Sequence, residues 1–245
     1  MKLSVYATPD SVQDKELRDQ VVVVIDVLRA TSTIITALYN DCKEVIPAIE
    51  IEEVINMSRN YEKNSYLLCG ERNTQAIDGF HLSNSPLEYK REQVEDKTLL
   101  FTTTNGTKAI RKVVDAKEVV ICSIINVDPT TEYILEKDND VVFICAGTDG
   151  KFSLDDIVTA GAVISRIKEK KDSVELSDLA IVAATMYESG KDNLHDLLKD
   201  SVHYKRMLLS NLEEDIKYCL SLNAAPVVGL YQDGVIKRLN KIQKA

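Results

Sequence analysis

Residues 21–38 read VVVVIDVLRATSTIITAL, and this stretch decides the expected fold. Its first five residues, Val21 to Ile25, are apolar without a polar break. They predict a strand that is buried on both faces, as in a parallel sheet covered by helices. Asp26 stands where that strand ends, and apolar residues recur at helical spacing from Ile34 to Leu38. The stretch therefore predicts a strand, a short turn that carries a carboxylate, and a helix.

The turn is the first candidate site. A carboxylate at the end of a strand can hold a hard cation, and a helix start lined by Thr31 and Ser32 offers N–H groups and hydroxyls to an anion. Burying Asp26 costs free energy unless the carboxylate is paired or metal-bound. We interpret Asp26 as functional, against the alternatives of a helix cap or an ion pair with Arg29. A cation beside a bound oxyanion would indicate phosphate chemistry.

Two further segments, residues 98–114 and 141–167, repeat the plan of an apolar strand, small or hydroxyl residues, and a helix. Because α/β proteins bind ligands at the carboxyl ends of their strands, we expect the loops of all three units at one site. Residues 178–218 read as almost wholly helical. The expected fold is α/β, layered α/β/α, with a largely parallel or mixed sheet and a helical C-terminal part.

The organisation of the chain is expected to be a single unit over residues 1–245, with the alternative of two lobes divided near residues 115–140. Pro47, in a strand expected at residues 44–49, indicates an edge position or a strand end. The basic segment at residues 237–244 is expected to be a solvated end.

Composition narrows the class of protein. The chain has 245 residues, 44% hydrophobic and 28% charged, which is ordinary for a soluble globular protein. Its net charge of −9 argues against nucleic acid or an anionic membrane as the partner. Five cysteines without a CxxC pair favour reduced, buried thiols. Neither a signal peptide nor an apolar run of membrane length is present, so we expect a cytoplasmic protein.

The candidate anion contacts follow expected strands or precede expected helices. Arg29 and Arg72 can each present a planar fork to a phosphate, sulfonate or carboxylate, although a lone arginine is more often in a surface ion pair. Residues 104–107, Thr-Asn-Gly-Thr, resemble an anion cradle in which Gly106 permits close approach of the backbone. The alternative is an ordinary capped helix start, and the GxxxxGK[ST] pattern of a P-loop is absent.

A long irregular segment, residues 73–90, is rich in Asn, Ser, Gly and Pro, and such loops are often functional. It carries Asn84 and Ser85, and also His81 as a candidate acid or substrate contact. His195 and His203 lie eight residues apart in the helical part, which is not metal-ligand spacing, so we interpret both as structural.

Four more carboxylates lie near expected strand ends or helix starts: Glu71, Asp149, Asp155 and Asp156. Magnesium commonly takes only one or two protein carboxylates, so not all of them can be ligands. The last two would equally serve as favourable charges in a first helical turn. Cys145 ends an expected strand and is a candidate nucleophile, although buried cysteines are more often inert.

Read together, these segments resemble the 2-phosphosulfolactate phosphatase family, also called ComB-like. The resemblance rests on five motifs in order: DVLRATST from Asp26, GER from Gly70, GFHLSNSP from Gly79, TTTNGT from Thr102, and CAG at Cys145 leading to SLDD from Ser153. It continues more weakly from Asn211 to Pro226. The sequence departs from the family pattern at His81, Ser83 and Asp155.

The resemblance implies a layered α/β fold and a Mg²⁺-dependent phosphatase that releases phosphate from 2-phospho-3-sulfolactate, a reaction of coenzyme M biosynthesis. It implies Asp26, Arg29 and Arg72 as catalytic residues and Asp26, with Glu71 or Asp156, as Mg²⁺ ligands. The implied contacts for a small anionic phosphate ester are Thr31, Ser32, Asn84, Ser85, Thr104, Asn105, Gly106 and Thr107. Phosphatases of the haloacid dehalogenase type use a DxD pair after a buried strand, but position 28 here is Leu, which favours a metal-activated water over an aspartyl-phosphate.

Two other functions are retained as alternatives. An isochorismatase-like hydrolase has a similar apolar strand before its Asp, but it needs a cysteine nucleophile, for which Cys145 is the only well-placed candidate. A non-catalytic anion-binding domain would use the same helix starts. The apolar C-terminal helices also suggest a homodimer surface.

Overall fold

The computed structural model describes residues 1–13, 15, 17–113 and 116–239. In chain order the strands are β1 (Lys2–Tyr6), β2 (Val21–Ile25), β3 (Glu44–Ala48), β4 (Tyr66–Arg72), β5 (Gln75–Ala76), β6 (Thr98–Thr102), β7 (Glu118–Cys122), β8 (Val141–Cys145), β9 (Glu175–Leu176), β10 (Gly229–Gln232) and β11 (Val235–Arg238). The helices are α1 (Ala30–Tyr39), α2 (Ile51–Ser58), α3 (Arg91–Val94), α4 (Gly106–Lys112), α5 (Val127–Lys137), α6 (Leu154–Lys170), α7 (Asp178–Gly190), α8 (Leu194–Leu198), α9 (Val202–Leu209) and α10 (Glu213–Cys219).

All these strands belong to one mixed sheet of order β5-β4-β6-β3-β11-β10-β7-β2-β8-β1-β9. The five strands from β7 to β9 in this order are parallel to one another, and so are β3, β6 and β4. Three antiparallel pairings, through β10 and β11, separate the two groups. The groups therefore run in opposite directions along the sheet. The expected α/β class with a mixed sheet is confirmed, as is the helical C-terminal part.

The two faces of β2 show how the layers form. Val21, Val23 and Ile25 belong to a core cluster shared with α6 and α7, whereas Val22 and Val24 belong to a second cluster shared with α1 and α4. This alternation follows from the two-residue period of a strand. The apolar run that marks β2 in the sequence is therefore needed because helices cover both of its faces.

Helix α4 contacts strands of both groups, β2 and β3, and α1 contacts β7 and the connecting strand β11. Helix α2 covers the other face of β3, β4 and β6. The sheet therefore curls around α1 and α4, which places the carboxyl ends of two oppositely directed strand groups beside each other. This curl, rather than a single parallel edge, brings the loops of the three predicted units together.

Several boundaries differ from the prediction. Strand β4 continues through Arg72, because β5 pairs with its last two residues. Strand β3 does not lie at an edge of the sheet. It pairs with β11 at Val45, so Pro47, which has no N–H to donate, lies beyond that pairing. The segment expected to be a solvated tail begins inside β11, and its residues 240–244 lie outside the described residues. Val114, at the expected end of the helix after β6, also lies outside them.

All five cysteines are free and buried, as predicted. Within the described residues, no helix has the length and apolar character needed to cross a membrane. The choice between one unit and two lobes, whose proposed boundary includes the undescribed Asp115, stays a prediction.

Candidate active site

A cavity opens where the segments that follow β2, β4, β6 and β8 meet α9. It is lined by Asp26, Leu28, Arg29, Glu71, Asn73, Thr74, Asn84, Thr104, Asn105, Asp149, His203, Arg206 and Met207. The loops of all three predicted strand–loop–helix units contribute to this list. The C-terminal helical part closes the cavity from the other side, which the sequence did not predict.

Asp26 is held in the cavity wall by the turn that it begins. Its Oδ1 accepts a hydrogen bond from the Ala30 amide at 3.4 Å, and its own amide donates to Thr31 Oγ1 at 3.1 Å. Burial raises the pKa of Asp26 to about 6, His203 opposes the rise, and the nearby carboxylates of Asp155 and Glu71 add to it. The carboxyl group can therefore change its charge close to neutral pH.

Glu71 ties together the loops that follow β4 and β6. Its Oε1 accepts from the Thr104 amide at 2.7 Å, and its Oε2 accepts from the Thr74 amide at 2.7 Å and from Thr104 Oγ1 at 3.1 Å. The buried carboxylate is thus compensated by three donors. This arrangement fixes the part of the cavity wall that the loops after β4 and β6 form.

Arg29 forms a buried ion pair with Asp215 at the other end of the chain. Nη1 lies 2.5 Å from Asp215 Oδ2, and both side chains are at most 5% exposed. Ser85 Oγ donates to the second carboxylate oxygen of Asp215 at 2.7 Å. A guanidinium group is therefore fixed in the cavity wall by helix α10.

Helix α9 contributes two cationic side chains that the sequence interpretation missed. Arg206 pairs with Asp149 at 2.6 Å, and His203 Nδ1 lies 3.2 Å from Asp155 Oδ2. With Met207 they stand at positions i, i+3 and i+4, which is one face of a helix. That spacing was the available signal, but it does not show where the face points.

The sequence matches known proteins over nearly its whole length. The sequence model of the family described as 2-phosphosulpholactate phosphatase matches residues 6–234. A protein of Caldanaerobacter subterraneus subsp. tengcongensis named "Probable 2-phosphosulfolactate phosphatase" is 46% identical over 237 residues, covering 97% of this chain and 98% of its own. Proteins of the same name from Clostridium botulinum strain Alaska E43 and Clostridium kluyveri are 41% and 42% identical, each over 97% of this chain and at least 98% of their own.

The chain belongs to the 2-phosphosulfolactate phosphatase family. In this family member, three of the eight predicted substrate contacts line the cavity: Asn84, Thr104 and Asn105. The buried Asn84 Oδ1 has no hydrogen-bond partner among the described residues. A buried amide oxygen of this kind calls for a ligand or a water molecule in the cavity.

The other five predicted contacts build the loops rather than line the cavity. Thr31 and Ser85 support Asp26 and Asp215 as described above. The remaining three also contact protein groups: Ser32 Oγ donates to Val27 O, the Thr107 hydroxyl donates to Thr103 O, and Gly106 packs against Asp26 and Ala30. The Thr104 and Thr107 amides of the expected cradle are already donating, to Glu71 and to Thr103 Oγ1.

Arg72 is not among the residues that line the cavity. Its Nη2 donates to Thr102 Oγ1 at 2.8 Å and to the carbonyl oxygen of Ile49, and its Nη1 donates to the carbonyl oxygen of Glu71 at 2.9 Å. The guanidinium therefore joins the ends of β4 and β6. Its catalytic role stays a prediction that this placement does not support.

Asp156 is likewise away from the cavity. Its two carboxylate oxygens accept from the amides of Val27 and Gly147, each at 3.0 Å. Burial, with Asp155 and Asp26 nearby, raises the pKa of Asp156 well above its ordinary value. Within the described residues, no cluster of three or more His, Cys, Asp or Glu side chains is arranged to hold a metal ion. Asp26, with Glu71 or Asp156, therefore stays a prediction for the Mg²⁺ ligands; Asp26 and Glu71 line the cavity, and Asp156 does not.

Two other candidates lie outside the cavity lining. Cys145 is fully buried, and burial raises the pKa of its thiol well above the ordinary value, as do Asp156 and Asp155. His81 Nδ1 accepts from the Leu68 amide at 2.9 Å, so this ring is engaged by strand β4. Neither residue is placed to act on a molecule bound beside Asp26.

Proposed function

We propose that the protein is a Mg²⁺-dependent phosphatase that hydrolyses 2-phospho-3-sulfolactate to sulfolactate and phosphate. Membership of the family, and the names of relatives that match almost the whole chain, support this substrate. The observation that carries the proposal is the cavity itself. It places a buried carboxylate of raised pKa, Asp26, together with Arg29, Arg206 and His203.

The charges in the cavity explain why a metal ion is needed. Every cationic side chain in its wall already has a carboxylate partner, in the pairs Arg29–Asp215, Arg206–Asp149 and His203–Asp155. A substrate with phosphate, sulfonate and carboxylate groups therefore requires further positive charge.

Asp26 and Glu71 are hard oxygen donors, and Mg²⁺ commonly binds one or two carboxylates and keeps several waters. This donor set fits magnesium. When bound by Asp26 and Glu71, the ion would polarise the phosphoryl oxygens and favour ionisation of a water molecule.

The remaining wall residues bind and orient the substrate. Arg29 and Arg206 present guanidinium groups to its anionic substituents, and their carboxylate partners keep each fork in place. Thr104 and Asn105 approach from the end of β6. The Asn84 amide can serve a cavity water through its oxygen or, if rotated, a sulfonate or carboxylate through its nitrogen. Leu28 and Met207 are the apolar part of the lining.

The test is phosphate release from 2-phosphosulfolactate by the purified protein with Mg²⁺ and with EDTA. We expect release that requires Mg²⁺ and is lost in Asp26→Asn. A parallel assay with 2-phospholactate, which lacks the sulfonate, measures how much that group contributes to kcat/KM. No release from a folded protein under either condition would contradict the proposal. Tight binding without turnover would instead identify an anion-binding domain.

The cysteine-hydrolase alternative has a simple test. Cys145→Ala should keep kcat within about twofold of the wild type, because a nucleophile must contact the substrate. The Cys145 thiol is buried and does not line the cavity. Loss of activity in a correctly folded variant would favour the cysteine mechanism.

The site of action and the assembly complete the proposal. Free, buried cysteines fit a reducing cytoplasm. The side chains of Val202 and Leu209 on α9 are 76% and 86% exposed. Phe152, which follows Asp149 by three residues, is 51% exposed. These apolar side chains support a homodimer. Sedimentation of the wild type and of a Val202→Ser/Leu209→Ser double variant tests it. We expect a dimer for the wild type and a monomer for the variant, because the two substitutions remove apolar contacts from this surface.

A further inference from the structure

His203 combines three features that the proposed reaction has not yet used. It lies in the wall of the cavity, its side chain is 12% exposed, and its Nδ1 faces Asp155 at 3.2 Å. Asp155 is itself fixed, because its other oxygen accepts a hydrogen bond from Ser153 Oγ. With Nδ1 held by a carboxylate, Nε2 is the ring nitrogen that remains for a molecule in the cavity.

We propose that His203 is the general acid of the reaction and that Asp155 is its positioning residue. This inference rests on the proposed phosphatase function and adds to it a catalytic residue that lies outside the motifs on which the family resemblance was based. An alkyl phosphate needs such a group, since its leaving oxygen would otherwise depart as a strongly basic alkoxide.

In this step, the bond between phosphorus and the ester oxygen at C2 breaks as the bond between phosphorus and the attacking water oxygen forms. The proton on His203 Nε2 passes to the ester oxygen and gives the free hydroxyl of the product. The proton released by the water returns to His203 through solvent. The protein is unchanged, and one water is consumed for each ester hydrolysed.

The charged groups that surround His203 favour its protonated form. Asp155 of α6 and Asp26 at the end of β2 are anionic neighbours, Asp149 faces it from the loop after β8, and Arg206 lies one turn away on the same helix. Burial acts to lower the pKa of His203, but Asp155, together with Asp26 in the metal-free protein, outweighs it, so the pKa lies above its ordinary value. The same interaction lowers the pKa of Asp155 against the effect of its burial.

The test uses His203→Gln with His195→Gln as the matched control, since His195 lies outside the cavity and contacts Tyr204. Each variant is assayed with 2-phosphosulfolactate, an alkyl ester, and with 4-nitrophenyl phosphate, whose leaving group is a stable anion. We expect His203→Gln to lower kcat for the alkyl ester by about 10²–10³-fold and for the aryl ester by less than about fivefold. His195→Gln should match the wild type with both esters.

A pH profile supplies the second readout. In the wild type, kcat/KM should fall with rising pH as His203 loses its proton, and this alkaline limb should be absent in His203→Gln. In Asp155→Asn the limb should move by about one pH unit or more to lower pH, because a neutral partner no longer favours the imidazolium.

The outcomes separate the two proposals. Equal losses of kcat for the alkyl and aryl esters in His203→Gln, or an unchanged alkaline limb, would overturn the role of His203 while leaving the phosphatase function intact. Hydrolysis of neither ester by the wild-type protein would overturn the phosphatase function, and the role of His203 with it.

Discussion

Gly106 and Asp26 are packed so closely that only a glycine fits at position 106. A Cβ atom on Gly106 would lie 2.7 Å from Asp26 Oδ2 and 2.4 Å from the Cβ of Ala30. The first residue of α4 therefore packs against the first residue of α1 and against the carboxyl group of Asp26. The sequence suggested that this glycine lets the backbone approach an anion, but the structure shows that it lets one loop of the cavity approach another.

Gly106→Ala should therefore damage both stability and activity. The new methyl group must push α4 away from α1, and overpacking of this kind costs about 1–3 kcal/mol in the free energy of unfolding. We expect kcat/KM to fall by at least about tenfold, since small displacements of catalytic groups have large effects on rate. Chemical denaturation and steady-state kinetics measure the two effects.

The double variant Ala30→Gly/Gly106→Ala is the control. It removes the contact with Ala30 but keeps the contact with Asp26, so relief of crowding should restore part of the stability without restoring the activity. Wild-type activity in the double variant would show that the position of Asp26 is not sensitive to this contact.

Asp26→Asn should stabilise the metal-free protein at neutral pH. The pKa of Asp26 is raised from 3.8 to about 6, so the folded state binds this proton more tightly than the unfolded chain does. The stabilisation from Asp26 is fully present below pH 3.8 and is lost as the pH rises through about 6. About two pKa units correspond to about 3 kcal/mol at most, which an uncharged Asn would recover at pH 7.5.

Denaturation of both proteins in EDTA at pH 4 and pH 7.5 checks this sign. The advantage of Asp26→Asn should be large at pH 7.5 and small at pH 4. Added Mg²⁺ should then raise the stability of the wild type more than that of the variant, because a bound ligand stabilises only the form that binds it. Equal responses to Mg²⁺ would argue against Asp26 as a ligand.

The ion pair of Arg29 with Asp215 predicts a large loss of stability in Asp215→Ala. Removing one partner of a buried pair leaves the other charge uncompensated, which costs about 3–5 kcal/mol. Because Arg29 also lines the cavity, phosphate should raise the melting temperature of this variant more than that of the wild type.

Asp149→Ala is the matched control for that experiment. It breaks the pair with Arg206, whose two side chains are 40% and 55% exposed, so it should cost about 1 kcal/mol or less. An equally small loss in Asp215→Ala would show that the buried pair is not an important structural contact.

Arg206 and Arg72 should separate binding from structure. Arg206→Ala is expected to raise KM for 2-phosphosulfolactate by about tenfold or more, the effect of losing one charge-assisted contact, with little change in stability. Arg72→Ala is expected to lower stability by about 1–3 kcal/mol, since the carbonyl oxygen of Ile49 and the hydroxyl of Thr102 lose a charged donor. A change of KM in Arg72→Ala at unchanged stability would restore its predicted role in catalysis.

The local plan of the fold could be predicted from the sequence because it depends on neighbours along the chain. The apolar run of β2 indicates burial on both faces, and the apolar spacing after Asp26 indicates a helix, so a carboxylate between them was expected at a strand end. Strand β8 and most of helix α6 lie within the strand–loop–helix unit that was expected at residues 141–167. Strand β11 was not predicted, because the basic residues 237 and 238 are typical of a solvated tail. Its pairing with β10 is a tertiary contact that the local sequence does not show.

The sequence by itself determined the α/β class. It also predicted that the functional side chains lie at the carboxyl ends of β2, β6 and β8, with Asp26 as the first candidate. Only the tertiary structure decided which polar side chains face the cavity. It directed Arg72 and Asp156 to backbone groups and brought His203 and Arg206 to Asp26 from a distant helix. The reason is physical: a residue's spacing in the sequence fixes the face of its own element, but the curl of the sheet around α1 and α4 fixes what that face meets.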